Sequence, residues 1–306
     1  MAGSQDYQAD PRNETVKVYL NGDLVARDKA MVSIFDSGFS MGDGVWEGLR
    51  LHKGALMFLD EHLDRLFEGA RTLKFDIGLD RAGLKEALRR TLEINGMTDG
   101  VHVRLMVTRG LKATVSQDPR NALGAATIAI VAEHKVPPAA ASSRGLRLAT
   151  VSVRCTPASM FDMRLNTHSR LNLITALLEA IELGADEALM LDAEGFVSSC
   201  NATNFFFVRD GRVFTSTGAC CFNGITRGNV IALCRDNDIP IELGDFPVEA
   251  AREADEAFVT GTTAGPQPVR EIDGRAMRST PGPLTRRIQA LYGALQDAEA
   301  ARVAAA

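Results

Sequence analysis

The spacing of hydrophobic and polar positions changes several times along this chain, and each change marks an element. Val16-Lys17-Val18-Tyr19-Leu20 alternates, Asn21-Gly22 offers the residues of a tight hairpin turn, and Leu24-Val25-Ala26 returns, so residues 15–35 read as short strands. From Asp60 the spacing becomes helical: Leu63, Leu66, Phe67, Ala70 and Leu73 fall three and four residues apart. A second helix is expected at about 81–95, then strands at 101–108 and 125–132. A Pro/Ala/Ser-rich stretch covers 136–145. Beyond it the pattern predicts a strand at about 146–154 and an apolar helix at about 169–183, then strands at 186–192, 196–199, 203–208 and 212–215. A helix from about 227 to 236, a strand at 256–260 and a last helix from about 283 complete the set.

Strands dominate both halves, with helices added outside them, which makes α+β the expected class. The expected division is a smaller N-terminal α+β domain over 1–135, a linker over 136–145, and a larger C-terminal domain with a strand-rich core over 146–306. A chain of 306 residues with 45% hydrophobic content is ample for such a packed pair. Apart from the alanine-rich tail there is no repeat or low-complexity tract.

The formal net charge is −5, from 34 basic and 39 acidic residues without long blocks. That distribution gives neither a stripe for nucleic acid nor a basic surface for a membrane, and it leaves a small molecule as the expected partner. No apolar run reaches the roughly 18 residues of a membrane span. The start, Met1-Ala2-Gly3-Ser4-Gln5-Asp6, has no charged-then-apolar leader pattern, so the expected location is cytoplasmic. Cys155, Cys200, Cys220, Cys221 and Cys234 form no C-x-x-C pair, so no metal site is expected and the thiols read as packed, reduced side chains. Lysine is scarce: seven residues (Lys17, Lys29, Lys53, Lys74, Lys85, Lys112 and Lys135) against 27 arginines, with none after Lys135.

Three local patterns carry candidate chemistry. Gly224-Ile225-Thr226 precedes an amphipathic segment, so Thr226 reads as an N-cap whose neighbouring backbone amides would face an anion, with the helix dipole behind them. Alone, such a tripeptide is ordinarily a simple helix start. Gly261-Thr262-Thr263 ends an apolar strand, where glycine permits close backbone approach and two hydroxyls add donors. Arg65 lies off the apolar stripe of its helix, a position that by periodicity alone belongs to a solvated arginine. His102 and Arg104, two apart on an expected strand, project from one face.

Gly42-Asp43-Gly44-Val45-Trp46-Glu47-Gly48-Leu49-Arg50 with Asp60-Glu61-His62-Leu63-Asp64-Arg65-Leu66, then Asn223-Gly224-Ile225-Thr226-Arg227, then Val259-Thr260-Gly261-Thr262-Thr263-Ala264, occur in an order and spacing that resembles the branched-chain and D-amino-acid aminotransferases. These are class IV enzymes of fold type IV, and the resemblance covers nearly all of 15–275. It implies a phosphate site closed by Arg65, with Gly224, Ile225, Thr226, Thr262 and Thr263 as further cofactor-binding positions. Trp46, Arg50, His102 and Arg104 match substrate-pocket positions, where an arginine can hold a carboxylate bidentately. It further implies an active site between two domains and a homodimer.

Two departures accompany the resemblance. The family holds pyridoxal phosphate through a lysine that also shuttles the proton of the reaction. Counted from Arg154-Cys155-Thr156-Pro157 or back from Leu178-Glu179-Ala180, that position is Asn166, and a substitute would have to be Lys112 or Lys135. The family also sets a glutamate against the pyridine nitrogen, and Ser199 stands there. A hydroxyl hydrogen-bonds a ring nitrogen without holding it protonated. Near Asn166, His168 is a candidate acid/base and Arg170 a candidate anion ligand. Three readings follow. The first is an aminotransferase-type enzyme using pyridoxal or pyridoxamine phosphate non-covalently on amino or keto acids. The second is a lyase or isomerase of the same fold built on His168 and Arg170, and the third a catalytically silent ligand-binding protein.

Overall fold

The computed structural model describes residues 8–135 and 144–305. Residues 136–143 of the expected linker lie outside the described residues. Backbone contacts divide the chain into two units: Ala9–Val136 with Leu165–Arg170 and Ala298–Ala306, and Met1–Gln8 with Pro137–Arg164 and Leu171–Asp297. Helices and strands mix in each, so the class is α+β.

In the first unit β1 (Lys17–Leu20), β2 (Asp23–Ala26), β3 (Gly44–His52), β4 (Ala55–Leu56), β5 (Val101–Thr108) and β6 (Thr127–His134) form one antiparallel sheet in the order β2-β1-β6-β5-β3-β4. Asn21 and Gly22 turn the first hairpin with φ of 51° and 105°, the left-handed pair that a two-residue loop between twisted strands demands. On β5, Val101, Val103, Leu105 and Val107 enter the core, while His102, Arg104 and Met106 take the opposite face. Helices Leu59–Thr72 and Arg81–Ile94 close that core with Leu63, Leu66 and Ala70 from one and Leu84, Ala87 and Leu88 from the other.

The second unit holds a nine-stranded sheet. Its members are β7 (Leu146–Thr150), β8 (Glu187–Leu191), β9 (Val197–Cys200), β10 (Asn204–Arg209), β11 (Arg212–Thr215), β12 (Ile241–Leu243), β13 (Glu256–Gly261), β14 (Gly265–Ile272) and β15 (Arg275–Ala276). The order is β12-β11-β10-β13-β14-β7-β8-β9, with β15 on β14. β10 is buried from Asn204 to Val208, covered on both faces, which is why Phe205-Phe206-Phe207-Val208 is apolar throughout instead of alternating. Phe206 stacks on Phe258 of β13 at 4.8 Å between ring centroids, and Phe207 on Phe214 of β11 at 4.9 Å.

Several expected bounds shift. The strand begun at 146 ends at Thr150, the helix expected from 169 runs Leu171–Glu182, and the one expected from 227 runs Ile225–Asp236. Strands β3 and β14 have no counterpart in the sequence reading. No helix among the described residues is long and apolar enough to cross a membrane.

Candidate functional site

Helix Ile225–Asp236 takes Gly224, not Thr226, as its N-cap, and no side chain of the cap itself bonds the helix. Asn204 on β10 fixes the residues that lead into the helix: its Oδ1 accepts the Gly224 N–H at 3.2 Å, and its Nδ2 donates to the Phe222 carbonyl at 2.7 Å. Thr226 is buried inside the first turn, where its hydroxyl accepts from Tyr292 Oη at 3.4 Å. The first intrahelical bond in this turn runs from Gly228 N–H to the Gly224 carbonyl. The amides of Ile225, Thr226 and Arg227 therefore have no carbonyl one turn behind them, and they present donors and the positive end of the dipole to an anion. The buried Arg227 guanidinium donates to the Ser216 carbonyl at 2.6 Å and to Asn223 Oδ1 at 3.1 Å, pinning the loop that leads into the helix.

Thr262 and Thr263 lie in the turn between β13 and β14. A Cβ on Gly265 would stand 3.0 Å from the Tyr292 ring, and one on Gly261 would stand 3.4 Å from the Thr203 methyl. Tyr292 thus touches both this turn and Thr226. Ser199 on β9 donates to the Thr203 carbonyl at 2.9 Å and accepts from Asn204 Nδ2 at 3.2 Å. Thr203 in turn donates its hydroxyl to buried Glu187 at 2.7 Å. Ser199 and Gly224 therefore hang on one asparagine.

In the other unit β3 and β5 place Trp46 opposite Met106, Gly48 opposite Arg104 and Arg50 opposite His102. The Arg104 guanidinium lies over the Trp46 ring, 3.7 Å from its centroid, and that of Arg170 lies 5.3 Å from it. Gly48 makes the packing possible, since a Cβ there would come within 3.1 Å of His102 Nε2 and 3.5 Å of Trp46. Burial holds the His102 imidazole down to about 3, and the charges of Arg104 and Lys135 add to the effect. Burial likewise lowers Arg170 to about 10, reinforced by Arg104 and Arg65 and opposed by Glu47. Both arginines stay charged at neutral pH. Positive charge is concentrated on this face.

The opposite side of β3 carries the anion. Glu47 is fully buried and accepts from Arg65 Nε at 2.8 Å and Nη2 at 2.6 Å, while His62 Nδ1 stands 2.6 Å from its Oε2. Burial alone would raise the Glu47 carboxyl, but the hydrogen bonds and charges of Arg65 and His62 outweigh it and hold it below the usual carboxylate range. Arg65 is thus a braced arginine rather than a solvated one.

Residues 166–169 run as a short extra edge along the start of β3. Trp46 N–H donates to the Asn166 carbonyl and His168 N–H to the Gly44 carbonyl, each at 3.0 Å; Trp46 Nε1 donates to the Thr167 carbonyl at 3.0 Å and Ser169 Oγ to the Gly42 carbonyl at 3.2 Å. The Asn166 side chain is engaged at both ends, donating from Nδ2 to the Trp46 carbonyl and accepting at Oδ1 from Arg170 Nη2. His168 lies beside Gly44, where a Cβ would be 2.7 Å from its Cδ2. Its Nε2 is buried without a hydrogen-bond partner among the described residues, and burial, then Arg104, lowers its pKa.

Residues 44–272 match the family model described as amino-transferase class IV. The chain is 39% identical over 288 residues to branched-chain-amino-acid aminotransferase-like protein 2 of Arabidopsis thaliana, with 94% of the chain and 51% of that protein covered. It therefore spans about half the length of that relative. It is 36% identical to a putative branched-chain-amino-acid aminotransferase of Methanocaldococcus jannaschii, with 90% of the chain and 94% of that protein covered. An aminotransferase of Brucella abortus, solved with the co-factor PLP bound, superposes with a TM-score of 0.81 at 26% identity, covering 92% of this chain and 99% of that one.

The chain belongs to the class IV aminotransferases. Its likeness to solved members of that class confirms the two-domain fold type IV architecture. Of the positions singled out in the sequence of this class IV aminotransferase, Trp46, Arg104, Asn166, His168 and Arg170 gather at one sheet edge, with Arg50 and His102 paired beside them. Ser199 and Gly224 meet at Asn204, and Ile225 and Thr226 follow in the first turn of the helix. Sequence reading overlooked Asn204, Tyr292, Arg227, Glu47 and His62. Only Glu47 left a usable signal: a carboxylate at the core-facing register of Val45, Leu49 and Leu51 needs a buried cation. Lys112 is committed to its own loop, donating to the Ser116 carbonyl at 2.6 Å. All five cysteines are free thiols.

Proposed function

We propose that this chain binds pyridoxal or pyridoxamine phosphate without a covalent bond to a lysine and acts on amino and keto acids as an aminotransferase-type enzyme. The observation that carries the reading is the start of helix Ile225–Asp236, where the amides of Ile225, Thr226 and Arg227 precede the first intrahelical bond and Asn204 fixes the entering Gly224 N–H. The PLP bound to the similar Brucella abortus enzyme supports the choice of ligand.

The residues fit this group at its phosphate end. Ile225 and Thr226, with the Thr262 and Thr263 hydroxyls, suit a phosphate. At the ring nitrogen the fit is poor, because Ser199 already donates its one hydroxyl hydrogen to the Thr203 carbonyl at 2.9 Å. At the remaining end the fit fails, because Asn166 has no amine and its amide is already taken by Trp46 and Arg170.

When bound, such a cofactor draws electrons from the α-carbon of an amino acid. The chain itself would hold the carboxylate of the substrate with Arg104 and move a proton at His168 Nε2. Arg50 and His102 complete the substrate face. The orphaned His168 Nε2 favours one second reading, a lysine-independent lyase or isomerase, and product analysis with amino acids separates the two.

The test is an absorption spectrum of the purified protein mixed with pyridoxal phosphate, before and after borohydride and dialysis. A bound spectrum that dialysis removes supports the proposal. Cofactor fixed to the protein by borohydride overturns the non-covalent mode, and no bound spectrum at all overturns the ligand.

A further inference from the structure

We propose that Asn166 is a positioning residue: by accepting from Arg170 and donating to the Trp46 carbonyl it fixes a second guanidinium at Trp46, so that Arg104 and Arg170 together receive a carboxylate. This deepens the reading given above, since it rests on the Trp46 face being where an amino or keto acid binds.

The case begins with Arg104. Its guanidinium is stacked on Trp46 and donates to no protein acceptor among the described residues. Five N–H groups in a rigid fork, held against an aromatic face, form a carboxylate receptor that needs little reorganisation. The one carboxylate whose charge acts on Arg104 is that of Glu47, already engaged by Arg65 and His62. Arg170 reaches the same indole from the other chain segment, and two features hold it there. One is its bond to Asn166 Oδ1; the other is the backbone pairing of Asn166 with Trp46 at 3.0 Å. The side chain of residue 166 thus joins the indole-bearing strand to the second cation. A lysine at 166 could not make this bracket, because an ammonium has no acceptor for Arg170 and would add like charge beside it.

Trp46 is the only tryptophan in the chain, so fluorescence excited selectively at tryptophan reports on this place alone. The experiment titrates the full chain with succinate as a simple dicarboxylate probe and follows Trp46 emission, in the wild type, Asn166→Ala, Arg170→Gln and the double variant. The wild type is expected to show a saturable change, and each single variant a loss of affinity of about tenfold. If Asn166 acts through Arg170, the double variant loses no more than either single one. Additive losses, an unchanged affinity in Asn166→Ala, or no response of the wild type would overturn the proposal. Should the alanine variant fail to fold, Arg170→Gln carries the test, and unaltered succinate affinity in it overturns the idea. Pyridoxal phosphate absorption, measured in parallel, separates this outcome from the earlier one: cofactor binding without a succinate response removes only the positioning role, and a succinate response without cofactor binding removes only the cofactor.

Discussion

Glu47 accepts both ends of the Arg65 guanidinium, Nε at 2.8 Å and Nη2 at 2.6 Å, from a position with no solvent exposure. Replacing the carboxylate by a neutral amide removes the charge and one of the two acceptor oxygens that Arg65 and His62 share. Glu47→Gln should therefore lower unfolding stability by about 3 kcal/mol, read from urea midpoints. The carboxyl is depressed in the folded state, so its stabilisation is present above the ordinary glutamate range and is lost as pH falls through the folded value. The acid limb of the wild-type stability curve should be steeper than that of Glu47→Gln.

His102 gives a second pH dependence. Its folded pKa of about 3 lies below the ordinary imidazole value, so the unfolded chain binds a proton first as pH falls. Stability from this group is present above about pH 6.5 and declines toward pH 3, at up to ~1.4 kcal/mol per pH unit reduced by solvent screening. His102→Gln should flatten the curve between pH 6.5 and 4. An unchanged slope in urea titrations would show that the imidazole is not held neutral.

At Gly224 the backbone is unstrained, yet a Cβ would stand 2.5 Å from Asn204 Oδ1. Gly224→Ala should push the asparagine from the cap and spoil the open amides of the helix start. The expected result is about a tenfold loss of pyridoxal phosphate affinity, ~1.4 kcal/mol, by absorbance titration, with the melting temperature little changed.

The double substitution Asn166→Lys with Ser199→Glu is expected to give a protein to which borohydride fixes pyridoxal phosphate and in which transamination becomes measurable with an amino acid and a keto acid. The same change removes the bracket on Arg170, so succinate affinity should fall as the cofactor becomes attached. A null result in both assays would mean that the pocket differs from its relatives at further positions.

Much of this architecture is legible in the residues because it is local. Asn21-Gly22 announces a hairpin, and the spacing of Leu63, Leu66 and Ala70 a helix, without reference to anything distant. β3 is not legible in that way, since Gly44, Glu47 and Gly48 argue against a strand and make sense only once Arg65, His62 and His102 are beside them. β14 begins Gly-Pro-Gln-Pro, which reads as a loop because proline cannot donate to a ladder. Thr226 lies two positions inside the real cap for a similar reason: Asn204, twenty residues before Gly224, fixes that glycine as the entry to the helix through a hydrogen bond that no local pattern encodes. Motif spacing leads to residues 166–170, but their edge pairing with β3 joins positions some 120 residues apart, and no local pattern encodes it.

Gly44 has a bearing on how this chain can vary. Any side chain there would meet the Val107 carbonyl at 2.5 Å and the His168 ring at 2.7 Å, so the empty volume at one position is the volume occupied by the other. Among descendants of this sequence, residue 44 can grow only where residue 168 has first become small and the neighbouring strand has given way. Positions 44 and 168 should thus drift as a pair, which would make a larger residue 44 a marker that the histidine has been lost.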